Sequence, residues 1–150
     1  MLLYRIQKAK YATDISGFGS TLVSGRWHKA GTSPIVYTSG NISLAILESV
    51  VHLPPSVKPP DLLLLTLEIP DTAVVTIPPG DLPENWNKKG YYDNVQHWGT
   101  AWLQSATSLA IRVPSVISPD YNILINPSHP DFNVVTIAES APITFDERLI

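Results

Sequence analysis

Fourteen of the 150 residues are proline, and they set the length of everything this chain can build. Proline has no N–H to donate and holds φ near one value, so it breaks helix interiors and is excluded from central strands. Pairs at Pro54-Pro55, Pro59-Pro60 and Pro78-Pro79, with single prolines such as Pro70, Pro114 and Pro127, cut the chain into short pieces. Between the breaks, Leu2 to Ile6, Thr21 to His28, Pro34 to Thr38, Leu62 to Ile69, Ala73 to Ile77, Leu109 to Val113, Asn122 to Ile125, Phe132 to Ala138 and Ile143 to Phe145 read as strands. Residues 40 to 52 and Trp98 to Ala106 read as helices. The stretches Asp14 to Ser20 and Leu82 to Tyr92 read as irregular. Many short strands with two or three helices define an α+β class.

The length fits one domain spanning 1–150, able to bury roughly 70% of its unfolded surface without a disulfide or metal staple. There is no cysteine, which excludes thiolate nucleophiles, disulfides and cysteine-based zinc sites and agrees with a reducing, cytoplasmic setting. Charged residues make up 15%, below the usual level of about 25%, so apolar surface is left for partners to cover. A net charge of -3 gives no basic footprint for nucleic acid. Met1 to Ile6 is too short for a signal peptide, and its basic residues follow rather than precede it. The longest apolar run, Leu62 to Leu67, is interrupted by Thr66 and cannot span a bilayer; no membrane association is expected.

Within the 40–52 helix, Ser39 or Asn41 can cap the start, and Pro54 stops the end. Glu48 shares a face with Leu44, Ala45 and Val51. A carboxylate there needs a partner, or its head must reach water at the stripe's edge; His52, one turn on, is one possible partner. Arg26, beside Trp27, carries a planar fork that holds two phosphate oxygens at once, or pairs with Glu48 or Asp146. Tyr37 lies in the apolar run Ile35-Val36-Tyr37 and reads equally as core. Ser115 follows Pro114, where its hydroxyl reaches a cleft or bonds its own turn. Taken together, Arg26, Tyr37 and Glu48 suit a phosphorylated, cationic nucleotide such as NAD. His28, His52, His97 and His129 are not spaced as a helical metal pair, so no metal site is expected. No Gly-x-Ser-x-Gly elbow is present, and Gly17-Phe18-Gly19-Ser20 lacks the third glycine of a dinucleotide fingerprint.

These residues carry a family pattern. The chain resembles the RES-domain toxins of bacterial RES–Xre toxin–antitoxin pairs, named for an arginine, a glutamate and a serine. Here those are Arg26 in Gly25-Arg26-Trp27, Glu48 in Leu44-Ala45-Ile46-Leu47-Glu48, and Ser115 in Val113-Pro114-Ser115. The resemblance extends through Tyr4-Arg5-Ile6, Gly31, Val36-Tyr37-Thr38-Ser39, Leu82-Pro83 with Trp86, Gly99 with Trp102-Leu103, Asn126-Pro127 with His129-Pro130, and Phe145-Asp146 with Arg148-Leu149. It departs at His28, where the family usually has asparagine. The resemblance implies an ADP-ribosyltransferase-like fold, with two small split sheets and a few short helices around an NAD cleft. It implies NAD as the substrate consumed, by hydrolysis, phosphorolysis or protein ADP-ribosylation; a non-catalytic module that binds NAD or a partner is the alternative. Glu48, Arg26 and Tyr37 would be catalytic, with Arg26, Tyr37 and Ser115 binding NAD. It also implies a cognate Xre-like antitoxin that blocks the active site. A homodimer is expected as well.

Overall fold

Seven strands and two α-helices form the molecule, in a computed structural model that describes residues 1–11 and 13–150. The strands are β1 (Leu2–Lys8), β2 (Val36–Ser39), β3 (Leu62–Glu68), β4 (Val74–Thr76), β5 (Ala110–Pro114), β6 (Tyr121–Ile125) and β7 (Thr136–Ile143). The helices are α1 (Ile42–Val50) and α2 (Tyr92–Ser105). Hydrogen bonding runs in the order β4-β5-β6-β2-β1-β3-β7. Only β4 and β5 are parallel.

The two expected sheets are two lobes of this one sheet. β1 and β3 are in register along their whole length, from Leu2–Glu68 to Lys8–Leu62. β1 meets β2 at a single pair, Tyr4–Ser39, and the strands then part. β2, β6, β5 and β4 form the second lobe.

Strand alternation distributes the core. On β5 and β6, Ile111, Val113 and Leu124 face α2 and pack with Trp27, Val95, Trp102 and Leu103. Their neighbours Ala110, Ile123 and Ile125 join Leu3, Val36, Leu65 and Leu67 on the opposite face. That is the two-residue period of a strand buried on both sides. The lone glycine of α2, Gly99, brings the helix close: a Cβ built there would lie 1.8 Å from the Trp27 carbonyl oxygen.

Several expected boundaries move. Thr21 to His28 is a string of turns, closed by one bridge between Gly25 and His28. α2 starts at Tyr92, not Trp98. Phe132–Val134 is a 3-10 turn, and β7 then runs through Pro142 and takes in Ile143, so no separate last strand follows. β7 is an edge strand, where a proline leaves no ladder bond unmet. Among the described residues, no helix is long and apolar enough to cross a membrane.

Candidate active site

A cavity of about 940 Å³ opens where β1 and β2 part. That lies toward the upper end of the roughly 300–1,000 Å³ usual for small-molecule sites. Arg26, Tyr37 and Glu48 all line it. Ser115 does not; it stands behind Glu48. A second hollow of about 430 Å³, between residues 53–58 and the Leu149–Ile150 end, shares no residue with it and has Lys58 as the only charged side chain in its lining.

Glu48 is placed by α1. The Asn41 side chain accepts from the Leu44 N–H at 2.8 Å, starting the helix, and its amide donates to Asp120 at 2.9 Å. Leu44 and Ala45 bury the helix's inner face, and Glu48, half-buried, follows one turn later. Its Oε1 accepts from Ser115 Oγ at 3.0 Å and from Asn122 Nδ2 at 2.6 Å. The donors are themselves held. Ser39 Oγ donates to Asn122 Oδ1 at 2.9 Å, which turns the amide nitrogen toward Glu48. Ser115 Oγ accepts from the Ile117 N–H at 3.0 Å, so Ser115 both ties its own turn and reaches the site. No cation lies within salt-bridge distance of Glu48 among the described residues. His52 donates to the Glu48 backbone carbonyl, not to its carboxylate. Oε2 takes no hydrogen bond from a described residue. The carboxylate is thus fixed at one oxygen by neutral donors and open at the other.

Arg26 is held by the aromatic segment before α2. Its Nη1 donates to the Trp86 carbonyl at 2.8 Å, and its guanidinium lies 5.2 Å from the Tyr92 ring centre, a cation–π distance. The adjacent Trp27 packs against Trp86 and Trp98. Neither suggested ion pair of Arg26 forms: Asp146 pairs with Arg148 instead, and Glu48 has its neutral donors. The rest of the fork is available.

Tyr37 is half-buried, with its hydroxyl enclosed. The Trp27 N–H donates to that oxygen at 3.2 Å. His28 Nε2 lies 2.7 and 2.9 Å from the carbonyls of Ser20 and Val23, so it carries the proton. Nδ1, at 2.7 Å, therefore accepts the Tyr37 O–H. His28 is 2% exposed, and here it ties the 20–24 turns to the tyrosine. Burial pushes the Tyr37 phenol well above its ordinary value, against smaller downward pulls from the Trp27 N–H and the Arg26 charge. The hydroxyl stays protonated. Gly25 is required alongside it, since a Cβ there would lie 2.6 Å from the phenol oxygen.

Arg5 also lines the cavity. Its Nε donates to Gln7 Oε1 and its Nη1 to the Tyr37 carbonyl, both at 3.0 Å. Burial lowers its pKa, with Asp14 opposing. Arg5, Lys8 and Arg26 face the cavity against Asp14 and Glu48, so this wall is net cationic in a chain of net charge -3.

The sequence reading brought Glu48, Arg26 and Tyr37 to one cavity and Ser115 to its edge. It gave no site role to Asn122 or Tyr92; it met Arg5, Ser39 and Trp86 only within family motifs, and His28 only as a departure from one. Asn122 had one signal, an amide beside the apolar run Ile123-Leu124-Ile125.

Fold and site together define a class. The RES domain model matches residues 2–146, and the chain belongs to the RES-domain family. Its relatives run the full length. The protein named Toxin Res of Yersinia enterocolitica is 35% identical over 152 residues, covering 99% of each chain. The protein named Prs ADP-ribosylating toxin of a Sphingobium species is 36% identical over 143 residues, 93% of this chain and 88% of that one. A chain in the crystal structure of the M. tuberculosis MbcT–MbcA toxin–antitoxin complex superposes with a TM-score of 0.79 at 16% identity, over 95% of this chain and 84% of that one. At that identity the likeness is one of fold.

Proposed function

We propose that this chain is the toxin of a toxin–antitoxin pair and that it consumes NAD by cleaving the bond between nicotinamide and ribose. The observation that carries the reading is the Glu48 carboxylate, fixed at Oε1 by Ser115 and Asn122 and, among the described residues, paired with no cation and open at Oε2. Cleavage sends the C–N bonding electrons to the nicotinamide ring nitrogen and neutralises it. Positive charge moves onto the ribose, as in glycoside hydrolysis. A carboxylate about 4 Å from that charge is worth on the order of 4 kcal/mol at an effective dielectric of about 20. With no cation beside it among the described residues, Glu48 is free to meet this charge, and the part of the interaction that grows as the charge moves from ring to ribose is the part that lowers a barrier. Water then adds at the ribose carbon and releases a proton to solvent, or a phosphate oxygen adds in its place, which completes the exchange.

Arg26 binds the pyrophosphate with the free part of its fork, and the Tyr37 ring places the nicotinamide. Ser115 reaches the substrate through Glu48. The cytoplasm is the compartment in which NAD would be met. An antitoxin that covers the cavity would meet an apolar rim: Tyr11, Phe18, Leu22, Val23, Val51 and Val116 are exposed and line the mouth.

A second reading, transfer of ADP-ribose to a protein, is favoured by the ADP-ribosylating activity in the name of the Sphingobium relative. One assay addresses both readings. Purified protein is incubated with NAD, with and without phosphate, and with lysate, and the products are read by mass spectrometry. Free nicotinamide with ADP-ribose or its phosphate ester supports consumption; a target protein gaining one ADP-ribose mass supports transfer. No nicotinamide release under any condition overturns both. In cells, expression alone should arrest growth and co-expression of the neighbouring Xre-like gene should restore it; harmless accumulation of folded protein overturns the toxin reading.

A further inference from the structure

His28 is a buried side chain that the reaction above does not use. Its ring is 2% exposed and packs against Gly25, where a Cβ would lie 3.0 Å from the His28 Cε1. Both ring nitrogens are bonded. The Nε2–H is shared between the carbonyls of Ser20 and Val23, at 2.7 and 2.9 Å, and Nδ1 accepts the Tyr37 O–H at 2.7 Å. N–H groups of Ala30, Gly31 and Ile35 bond the same turns. Among the described residues, only the His28 ring bonds both to these turns and to Tyr37.

A buried polar network in which every member is bonded holds one geometry. This one starts at the cavity mouth, where Phe18, Leu22 and Val23 are exposed. It runs through His28 to the far end of the Tyr37 side chain, which also takes the Trp27 N–H. A tyrosine has only two side-chain torsions, so a hydroxyl held from two sides fixes the ring as well. That ring borders the cavity.

We propose that His28 is a positioning residue: through the Tyr37 hydroxyl it sets the ring against which the nicotinamide is placed. The assignment rests on the NAD reading above. Two amide variants each keep one half of the bonding. The amide of His28→Asn ends near the place of Nδ1 and can accept the Tyr37 O–H, but falls short of the Ser20 and Val23 carbonyls. The amide of His28→Gln reaches toward the place of Nε2 and can donate to those carbonyls, but leaves the Tyr37 O–H without its acceptor.

The test is turnover of NAD, together with equilibrium binding of NAD and of ADP-ribose, which lacks the nicotinamide, in Glu48→Gln protein. His28→Gln should lower kcat by about 10- to 100-fold, the scale of a misplaced reacting group. It should weaken NAD about 10-fold, the scale of one cation–π contact, and leave ADP-ribose within about twofold. His28→Asn should recover most of that loss. Adding Tyr37→Phe to His28→Gln should lower kcat no further, since each change removes the same bond. Tyr37→Phe alone carries the test if His28→Gln does not fold, with the same loss for NAD and the same sparing of ADP-ribose. Equal losses for NAD and ADP-ribose would make His28 a prop for the fold and overturn the proposal, as would unchanged kcat and affinity in His28→Gln. If the parent binds and cleaves NAD while every variant matches it, the proposal alone fails. If the parent neither binds nor cleaves NAD, the NAD reading fails and the proposal falls with it.

Discussion

Glu48 is held by neutral groups alone, and removing its charge should therefore cost little in folding and much in rate. Glu48→Gln keeps an oxygen for Ser115 and Asn122. Turnover of NAD should fall by roughly 100-fold or more, the scale for loss of a preorganised electrostatic group. NAD affinity should change far less, because the ribose charge exists only during reaction. The melting temperature should hold or rise, since a half-buried carboxylate without a counterion is costly. Near-normal turnover with a lowered melting temperature would make Glu48 a scaffold residue. Tyr37 makes a different prediction at the same scale. Its pKa is raised in the fold from an ordinary value of 10.0. The stabilisation from its neutral form is complete below that pH and is lost as pH climbs from 10 toward the folded value. Denaturant unfolding from about pH 9 to about pH 11 should show a steep loss of stability in wild type and a shallower one in Tyr37→Phe. Parallel slopes would assign the alkaline loss to other groups. At neutral pH Tyr37→Phe should cost about 1–3 kcal/mol, because His28 Nδ1 loses its donor and the Trp27 N–H its acceptor.

At the scale of elements, α2 is the wall that holds Arg26, through Tyr92 at its start and Trp27 against its middle. Gly99→Ala would drive a methyl into the Trp27 carbonyl. Overpacking of this kind costs about 1–3 kcal/mol, and each kcal/mol is worth about 2–4 °C of melting temperature in a chain of this size. The variant should melt lower by that scale and bind NAD more weakly, because Trp27 positions Arg26; calorimetry and a binding titration read the two effects. An unchanged melting temperature would mean that α2 shifts freely, and the account of the clamp would fail. The same elements explain what the sequence made legible. α1 carries its own signals in the Asn41 cap and Pro54, and β3 in its run of leucines, so both were readable in place. α2 opens without a cap: Tyr91 makes no side-chain hydrogen bond to the first turn, and nothing local marks a start at Tyr92. Thr21 to His28 has strand-like residues but is shaped by a distant one, the Tyr37 hydroxyl it wraps around. Glu48 stood out against its apolar helix. Its donor Asn122 is brought into place by the pairing of Ser39 with Asn122 across β2 and β6, a contact between residues far apart in sequence that no local pattern encodes.

At the scale of the whole molecule, the sheet is two lobes joined along β1 and β2 by one residue pair, and the cavity occupies the gap beyond it. Arg5 reaches across that gap from the β1 lobe, while Tyr37 and Asn122 belong to the other. A ligand that spans the gap would add contacts across the seam to the one that Arg5 makes with the Tyr37 carbonyl. Its binding free energy should then appear as stability of the joined lobes. In the Glu48→Gln protein, NAD at about 100 times its dissociation constant should add about 2.7 kcal/mol, or roughly 5–10 °C of melting temperature. Hydrogen exchange should slow on both sides of the seam, in β2 and at those amides of β1 from Arg5 to Lys8 that point away from β3, while the amides bonded within the β1–β3 ladder should change little. Arg26→Gln in the same background should shrink the thermal shift at equal NAD concentration. Protection confined to one lobe would mean that the ligand does not bridge the seam. The cavity would then be a pocket of a single lobe, and the split in the sheet would have no part in holding the substrate.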